Sequence, residues 1–456
     1  MKRLLIVAVA VVLLLTGAAA LAFFYLFPTY NKEKLDTLAI AEIVTPITAA
    51  KGTVVLLSGD AGYTFSDKIK ARLLAASGAV VIGLDTPATL AKGGSTKDDC
   101  VYFVSDIEQA SQDVQRAFDI PHYHSPVIAG SGLGGTFALA LAAQTPEATI
   151  ERTIAVDPLA ALPLTKELCS AAEHKKSPDG KGWIYALQTG PLPDPVDVYL
   201  TGGRDKDGAA HVDQLIAAGF GIHKIETNMP ARTALRTALT EELHRSGDDS
   251  SPLSDLPLSP LPVAATHDTM AIILSGDGGW RDIDSQIGTF LSQDGVPVVG
   301  VDSLRYFWNT VPPEQAAKDL SRIIDTYQEK WKVSKVALVG YSFGADALPA
   351  IYMALPDAEK AKVSLVSLLA YTGARQFEIQ ISAILGGKTD PNAPSTITDL
   401  EKIPGKIVQC VYGTEDSESA CPRVKLDGMQ AVQHPGGHHF NDDYLPVAKD
   451  ILARIQ

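Results

Sequence analysis

Three residues, taken in chain order, have the types and spacing of an acyl-transfer centre. Ser342 lies in Gly340-Tyr341-Ser342-Phe343-Gly344, a G-x-S-x-G pattern. Asp416 closes Gly413-Thr414-Glu415-Asp416, and His438 lies in Pro435-Gly436-Gly437-His438-His439-Phe440. A serine hydroxyl is a poor nucleophile unaided; it needs a histidine to take its proton and an acid to hold that histidine in the right tautomer. Serine, acid, histidine is the chain order of α/β-hydrolase triads. His439 and Glu415 adjoin the preferred histidine and acid and are the reserve candidates for those roles. The backbone N–H of Phe343, next after the serine, is the first expected oxyanion donor. Gly278 or Gly279, in Ser275-Gly276-Asp277-Gly278-Gly279-Trp280, supplies the second.

These groups need strands and helices to hold them. Val336 to Val339 is a short apolar run with a β-branched residue at each end, and Ala345 to Leu355 reads as a helix. The small residues at 340 and 344 let the strand turn sharply into that helix. Met270 to Leu274 reads as the strand before the glycine-rich loop, and Lys406 to Tyr412 as the strand before the acid. Pro313 opens a helix with Ala317, Leu320, Ile324, Tyr327 and Trp331 on one face, and Ile107, Ala110, Val114 and Ala117 form a similar stripe earlier. Strands alternating with helices predict an α/β class, a mostly parallel sheet covered by helices on both faces, with ligands at the carboxyl ends of the strands.

The pattern occurs twice. Val55 to Tyr63 matches Ile272 to Trp280, and Val81 to Thr86 matches Val298 to Ser303, both at an offset of 217 positions. Val127 to Gly134 aligns with the serine pattern at an offset of 210, and Leu200 to Asp205 falls near the counterpart of the Asp416 strand. The chain therefore reads as two tandem α/β-hydrolase-like domains. On this alignment Gly132 stands where Ser342 stands, so the first copy is chemically degenerate, and Ser131 is one position off the elbow. Gly130 to Gly135 mimics a dinucleotide-binding glycine pattern, but kinship with the elbow accounts for its glycines better.

Between the copies, residues 246–262 are rich in Ser, Pro, Asp and Leu without helical or strand periodicity, which predicts a linker. The expected organisation is residues 1–28 as a targeting segment, 29–245 as the degenerate domain and 263–456 as the catalytic one. Lys2 and Arg3 precede an apolar stretch from Leu4 to Phe27 that is long enough to span a bilayer, and Ala18 to Ala22 offers small-residue cleavage sites. A cleaved signal and a retained anchor both fit, with cleavage preferred; either exports the domains to the periplasm. In an oxidising compartment, two cysteines per copy make Cys100–Cys169 and Cys410–Cys421 the simplest pairing.

The formal net charge of −14 argues against nucleic acid as a partner and suits a cationic substrate. Asp277, Asp302 and Asp346, with Trp280 beside them, are candidate substrate-binding residues. Asp282 and Asp284 read as helix-capping, solvated acids. No metal-ligand spacing and no cofactor motif stands out, so neither a metal nor a cofactor is expected.

The apolar N-terminus, the duplicated Leu-Ser-Gly-Asp-x-Gly-aromatic motif, Gly-Tyr-Ser-Phe-Gly-Ala-Asp at 340–346 and Pro-Gly-Gly-His-His-Phe at 435–440 together resemble the AcvB/VirJ family of bacterial periplasmic proteins, in its longer two-domain form. The resemblance covers nearly the whole chain and is looser in the first copy. It implies hydrolysis of aminoacylated phosphatidylglycerol, chiefly lysyl-phosphatidylglycerol, at the inner membrane surface, and links to virulence and type IV secretion proteins. The residues leave two other readings open: a periplasmic binding or chaperone protein, and a generic esterase or thioesterase.

Overall fold

The computed structural model describes residues 26, 38–189, 192–245, 252–374, 376–379 and 395–455. Apart from Leu26, the apolar N-terminal segment lies outside the described residues, as do residues 246–251 of the expected linker. The chain divides into two compact units, the second beginning near Ser250.

The first unit is built on β1 (Ile40–Val44), β2 (Gly52–Leu57), β3 (Ala79–Leu84), β4 (Pro126–Ser131), β5 (Arg152–Val156), β8 (Val196–Leu200) and β9 (Ile222–Glu226), in the order β1-β3-β2-β4-β5-β8-β9. A two-stranded ribbon, β6 (His174–Lys176) with β7 (Trp183–Tyr185), is inserted between β5 and β8. The second unit uses β10 (Leu258–Leu261), β11 (Thr269–Leu274), β12 (Val298–Val301), β13 (Lys335–Tyr341), β14 (Val363–Leu369), β15 (Val408–Gly413) and β16 (Gln430–His434), in the order β10-β12-β11-β13-β14-β15-β16. The two orders are the same. In each sheet the first strand is antiparallel to its neighbour and all the others are parallel.

Parallel strands covered by helices on both faces must be apolar along their whole length. Every residue of β3, β11 and β12 is buried. The helix Pro313–Trp331 buries Ala317, Leu320, Ile324 and Tyr327. The helix Phe103–Ala117 buries Ile107, Ala110 and Val114, but Ala117, at its last turn, is exposed.

The expected linker is shorter than its composition suggests. Leu258–Leu261 forms the antiparallel edge strand of the second sheet, and Leu253 is buried in that unit's core. Proline removes a backbone donor and is tolerated on an edge strand, which is where Pro260 sits. Reading the prolines as structure-breaking missed this edge position.

Both units carry one disulfide, Cys100–Cys169 and Cys410–Cys421, and no free cysteine occurs among the described residues. The second ties β15 to the turn Cys421–Arg423 and so closes the loop that carries Asp416. For a loop of this length, closure contributes at most about 3 kcal/mol. Replacing Cys410 and Cys421 together by alanine is expected to lower the denaturant midpoint of the second unit, with a loss of up to about that amount in an equilibrium melt.

Candidate active site

Ser342 occupies a conformation that side chains rarely adopt, φ 50° and ψ −113°, at the junction of β13 and the helix Phe343–Ala354. Its N–H donates to Leu369 O on β14 at 2.9 Å, which fixes the corner to the sheet. The flanking glycines are required by contact. A Cβ on Gly344 would lie 2.2 Å from Leu274 O, and one on Gly340 would lie 2.6 Å from the Gly344 backbone. The helix thus packs directly on the ends of two strands, and Ser342 is held outward at its N-cap.

The loops after β15 and β16 bring two further groups to this corner. His438 Nε2 lies 2.9 Å from Ser342 Oγ, and His438 Nδ1 lies 3.1 Å from Asp416 Oδ2. The Asp416 side chain is 3% exposed and that of His438 29%, so the acid is sealed while the imidazole edge faces outward. His439 points elsewhere, its Nδ1 3.0 Å from Tyr341 Oη, and it is exposed. Glu415 is also exposed, and its contribution to the loop is a backbone N–H to Gly436 O at 2.8 Å. Tyr341, absent from the sequence candidates, is a buried floor beneath the two histidines, with ring centroids 5.6 Å from His438 and 6.1 Å from His439.

The N–H of Phe343, first residue of its helix, has no acceptor within that helix and faces the side where negative charge is favoured. The glycine loop is arranged differently from the sequence expectation. Gly279 N–H closes a turn onto Gly276 O at 3.2 Å, so it is not a free oxyanion donor. Gly278 N–H donates to the Asp277 carboxylate. Gly276 is the part of the loop that packs on the serine, since a Cβ there would meet the Tyr341 ring at 3.1 Å and Ser342 Cβ at 3.8 Å.

Of the candidate substrate-binding residues, Asp277 alone is partly exposed. Burial pushes its carboxyl up, opposed by its own and the Gly278 N–H groups and by the nearby His438 and Arg281. Asp302 is a brace instead. It accepts from Arg305 N at 3.0 Å and from Trp280 N, repeating what Asp85 does in the first unit with Ala88 N at 3.0 Å and Tyr63 N at 2.9 Å. Trp280 is 6% exposed and lies across Gly300, where a Cβ would sit 2.5 Å from its ring, so it belongs to the core. Asp346 is also interior. It accepts from Thr372 N at 2.9 Å, Gly373 N at 2.8 Å and Thr372 Oγ1, and so anchors the segment after β14 to the serine helix. Asp284 departs furthest from its reading, being 3% exposed rather than solvated. Burial was not legible from the acid types; these carboxylates satisfy backbone donors inside the fold.

The first unit has the same corner without these groups. Gly132 holds φ 57° and ψ −123°, and its N–H donates to Val156 O at 3.0 Å, as Ser342 N–H does to Leu369 O. Asp205, the acid after β8, caps a helix by accepting from Gly208 N at 2.7 Å.

An antiparallel edge strand followed by six parallel strands, with serine after β13, acid after β15 and histidine after β16, defines the second unit as an α/β hydrolase in fold. Residues 268–456 match the family described as bacterial virulence protein (VirJ). That match spans most of the second unit. No curated protein matches the chain. Solved structures similar to it include Est1E from Butyrivibrio proteoclasticus with ferulic acid bound, 16% identical, covering 43% of this chain and 95% of that one at a TM-score of 0.32. Another is a predicted CIB-like hydrolase from Thermoplasma acidophilum, 15% identical, covering 44% and 92% at a TM-score of 0.31. A third is a putative dienelactone hydrolase from Klebsiella pneumoniae subsp. pneumoniae, 14% identical, covering 48% and 96% at a TM-score of 0.32.

Two outcomes follow from this geometry. Gly344→Ala is expected to unfold the second unit or abolish soluble expression, whereas Gly437→Ala, whose Cβ would meet nothing within 4 Å, leaves the melt unchanged. Burial raises Asp346 to about 7. Between its unfolded value near 4 and that value, the folded chain keeps a proton that the unfolded chain releases, so stability falls as pH rises through this window. Asp346→Asn keeps the acceptor for Thr372 N and Gly373 N. Melts from pH 4 to pH 8 should show a shallower decline for the variant than for the native chain.

Proposed function

We propose that the chain is an exported serine hydrolase that cleaves carboxylic esters through an acyl-enzyme on Ser342. The observation that carries this reading is the continuous hydrogen-bonded chain from Ser342 Oγ through His438 to the sealed Asp416. In this mechanism Ser342 Oγ attacks the ester carbonyl as His438 Nε2 takes its proton. The tetrahedral oxyanion draws on the Phe343 N–H and a donor from the glycine loop. Collapse expels the alcohol, protonated by His438, and water then repeats the sequence to free the acid. Asp416 keeps Nδ1 protonated and stabilises the imidazolium.

The substrate class we assign is an aminoacylated phospholipid, with lysyl-phosphatidylglycerol first. Support comes from the VirJ-family match, from the net charge of −14 and from the half-buried Asp277 beside His438. A cationic aminoacyl group would draw the Asp277 carboxylate off Gly278 N–H and release that donor to the oxyanion, coupling recognition of the amine to catalysis. We read the apolar N-terminal segment, cleaved or kept as an anchor, as an export signal that would carry such an enzyme to the periplasm at the inner membrane surface. A periplasmic binding or chaperone role with secretion proteins makes no use of the Ser342–His438 bond.

Purified chain added to vesicles containing lysyl-phosphatidylglycerol should release lysine. Ser342→Ala and His438→Ala should each remove on the order of a millionfold in kcat, and Asp416→Asn about ten-thousandfold. Asp277→Asn should raise KM for the lysyl ester and leave an uncharged ester unaffected. Turnover of uncharged esters alone would favour a generic esterase. Retained partner binding with no turnover of any ester would favour the binding protein.

A further inference from the structure

We propose that Asp284 is a positioning residue of the serine site, its carboxyl holding Gly276 N–H and thereby setting the glycine loop against Ser342. The inference rests on the hydrolase reading above. At the offset of 217 positions shared by the two copies, Asp284 answers Asp67. Both lie in the first turn of their helices, Asp67 as the third residue and Asp284 as the second, and each bonds three residues back: Asp67 N–H donates to Thr64 O and Asp284 N–H to Arg281 O.

In the first unit this acid is an ordinary cap. Asp67 accepts from Thr64 N at 2.9 Å, from Thr64 Oγ1 at 2.7 Å and from Lys70 Nζ at 3.1 Å, so both its oxygens are satisfied. In the second unit the hydroxyl and the ammonium are gone. Arg281 stands for Thr64 and Ile287 for Lys70. Asp284 is nonetheless more buried, and it has turned to the loop: Oδ2 accepts from Gly276 N at 3.3 Å, while Oδ1 has no hydrogen-bond partner. A buried, half-satisfied carboxyl is a costly way to begin a helix. What it gains is a fixed Gly276, the residue whose Cα faces Ser342 and the Tyr341 ring. Asp277, which carries the carboxylate beside His438, follows directly in the chain.

The surroundings favour the neutral form of this carboxyl. Asp277, Asp282 and Asp302 all face it, as do the phenols of Tyr341 and Tyr444, and burial together with those acids holds its proton well above the ordinary carboxylate range. A neutral carboxyl is closely mimicked by asparagine, which keeps an acceptor for Gly276 N–H.

The test uses the full chain with a p-nitrophenyl ester and, in parallel, the rate of Ser342 labelling by an alkyl fluorophosphonate. Asp284→Ala is expected to lower kcat on the order of a hundredfold with KM within about twofold, the size of losing one oxyanion donor. Asp284→Asn is expected to stay within about threefold of the native chain in both parameters. Asp284→Thr retains a polar atom that falls short of Gly276; it should show the alanine loss and covers the case in which the alanine variant does not fold. Asp67→Ala, at the equivalent cap of the first unit, should lower stability and leave kcat unchanged. Folded Ala or Thr variants with native kcat would overturn the proposal, as would an Asn variant as slow as Ala. Absence of both turnover and Ser342 labelling in the native chain would instead overturn the hydrolase reading beneath it.

Discussion

The arrangement of Ser342, His438 and Asp416 depends on one steric constraint, the direct contact between the serine helix and the ends of β11 and β13. Gly344 touches Leu274 O and Gly340 touches Gly344, leaving no room for a side chain at either. That closeness forces the intervening residue to a positive φ and points its side chain away from the sheet. Ser342 could not be strained in isolation; the strain is held by the parallel pairing of β13 with β11 and β14. The first unit shows that the constraint belongs to the fold. Gly130 and Gly134 make the same contacts, and Gly132 takes the same backbone conformation with no side chain to present.

Around this corner the second unit places carboxylates in two kinds of environment. Asp416 accepts from an imidazole and is closed to solvent. Asp302, Asp346 and Asp284 are turned inward onto backbone N–H groups, those of Trp280 and Arg305, of Thr372 and Gly373, and of Gly276. Loops at the carboxyl ends of strands expose many unpaired amides, and an acid on an adjacent helix start satisfies them from one side. The loops are thereby held rigid, at the cost of desolvating each carboxyl. Asp277 is the exception, partly exposed and near enough to His438 to feel its charge.

The sequence made some of this legible and hid the rest for a physical reason. Ser342 and Asp416 could be picked out because each follows an apolar strand, and His438 because its glycine-rich motif comes next in the chain order; their meeting is a consequence of strand order. The duplication could be read from two matches at one offset, and the same seven-strand order occurs in both units. Burial of polar residues was not readable. Asp302, Asp346 and Trp280 have the types expected of a binding surface, yet each packs inside, and Asp284 looks like a solvated cap. Leu258–Leu261 looks like linker because four residues of an edge strand are too few to show periodicity beside prolines. The hidden signal was internal: Asp67 and Asp284 share a register while their partners differ, a contrast visible only when the copies are aligned residue by residue.

That contrast gives the chain its own control. Two copies of one fold differ at positions where stability asks for nothing different, so departures isolate what chemistry requires. Gly132 shows that the elbow folds without a nucleophile, and Asp205 shows that the acid after β8 can serve as a plain cap. Thr136 holds Leu159 N at 2.7 Å in the first unit, where Asp346 holds Thr372 and Gly373 in the second. A hydroxyl suffices for one backbone donor; the carboxyl of Asp346 gathers two donors and a hydroxyl at the end of β14, next to the strand that carries Ser342. The contrast is confined to these positions: at 346 and 284 the second unit uses a buried carboxyl where the first keeps a hydroxyl and a simple cap, while Asp85 braces the first unit as Asp302 braces the second.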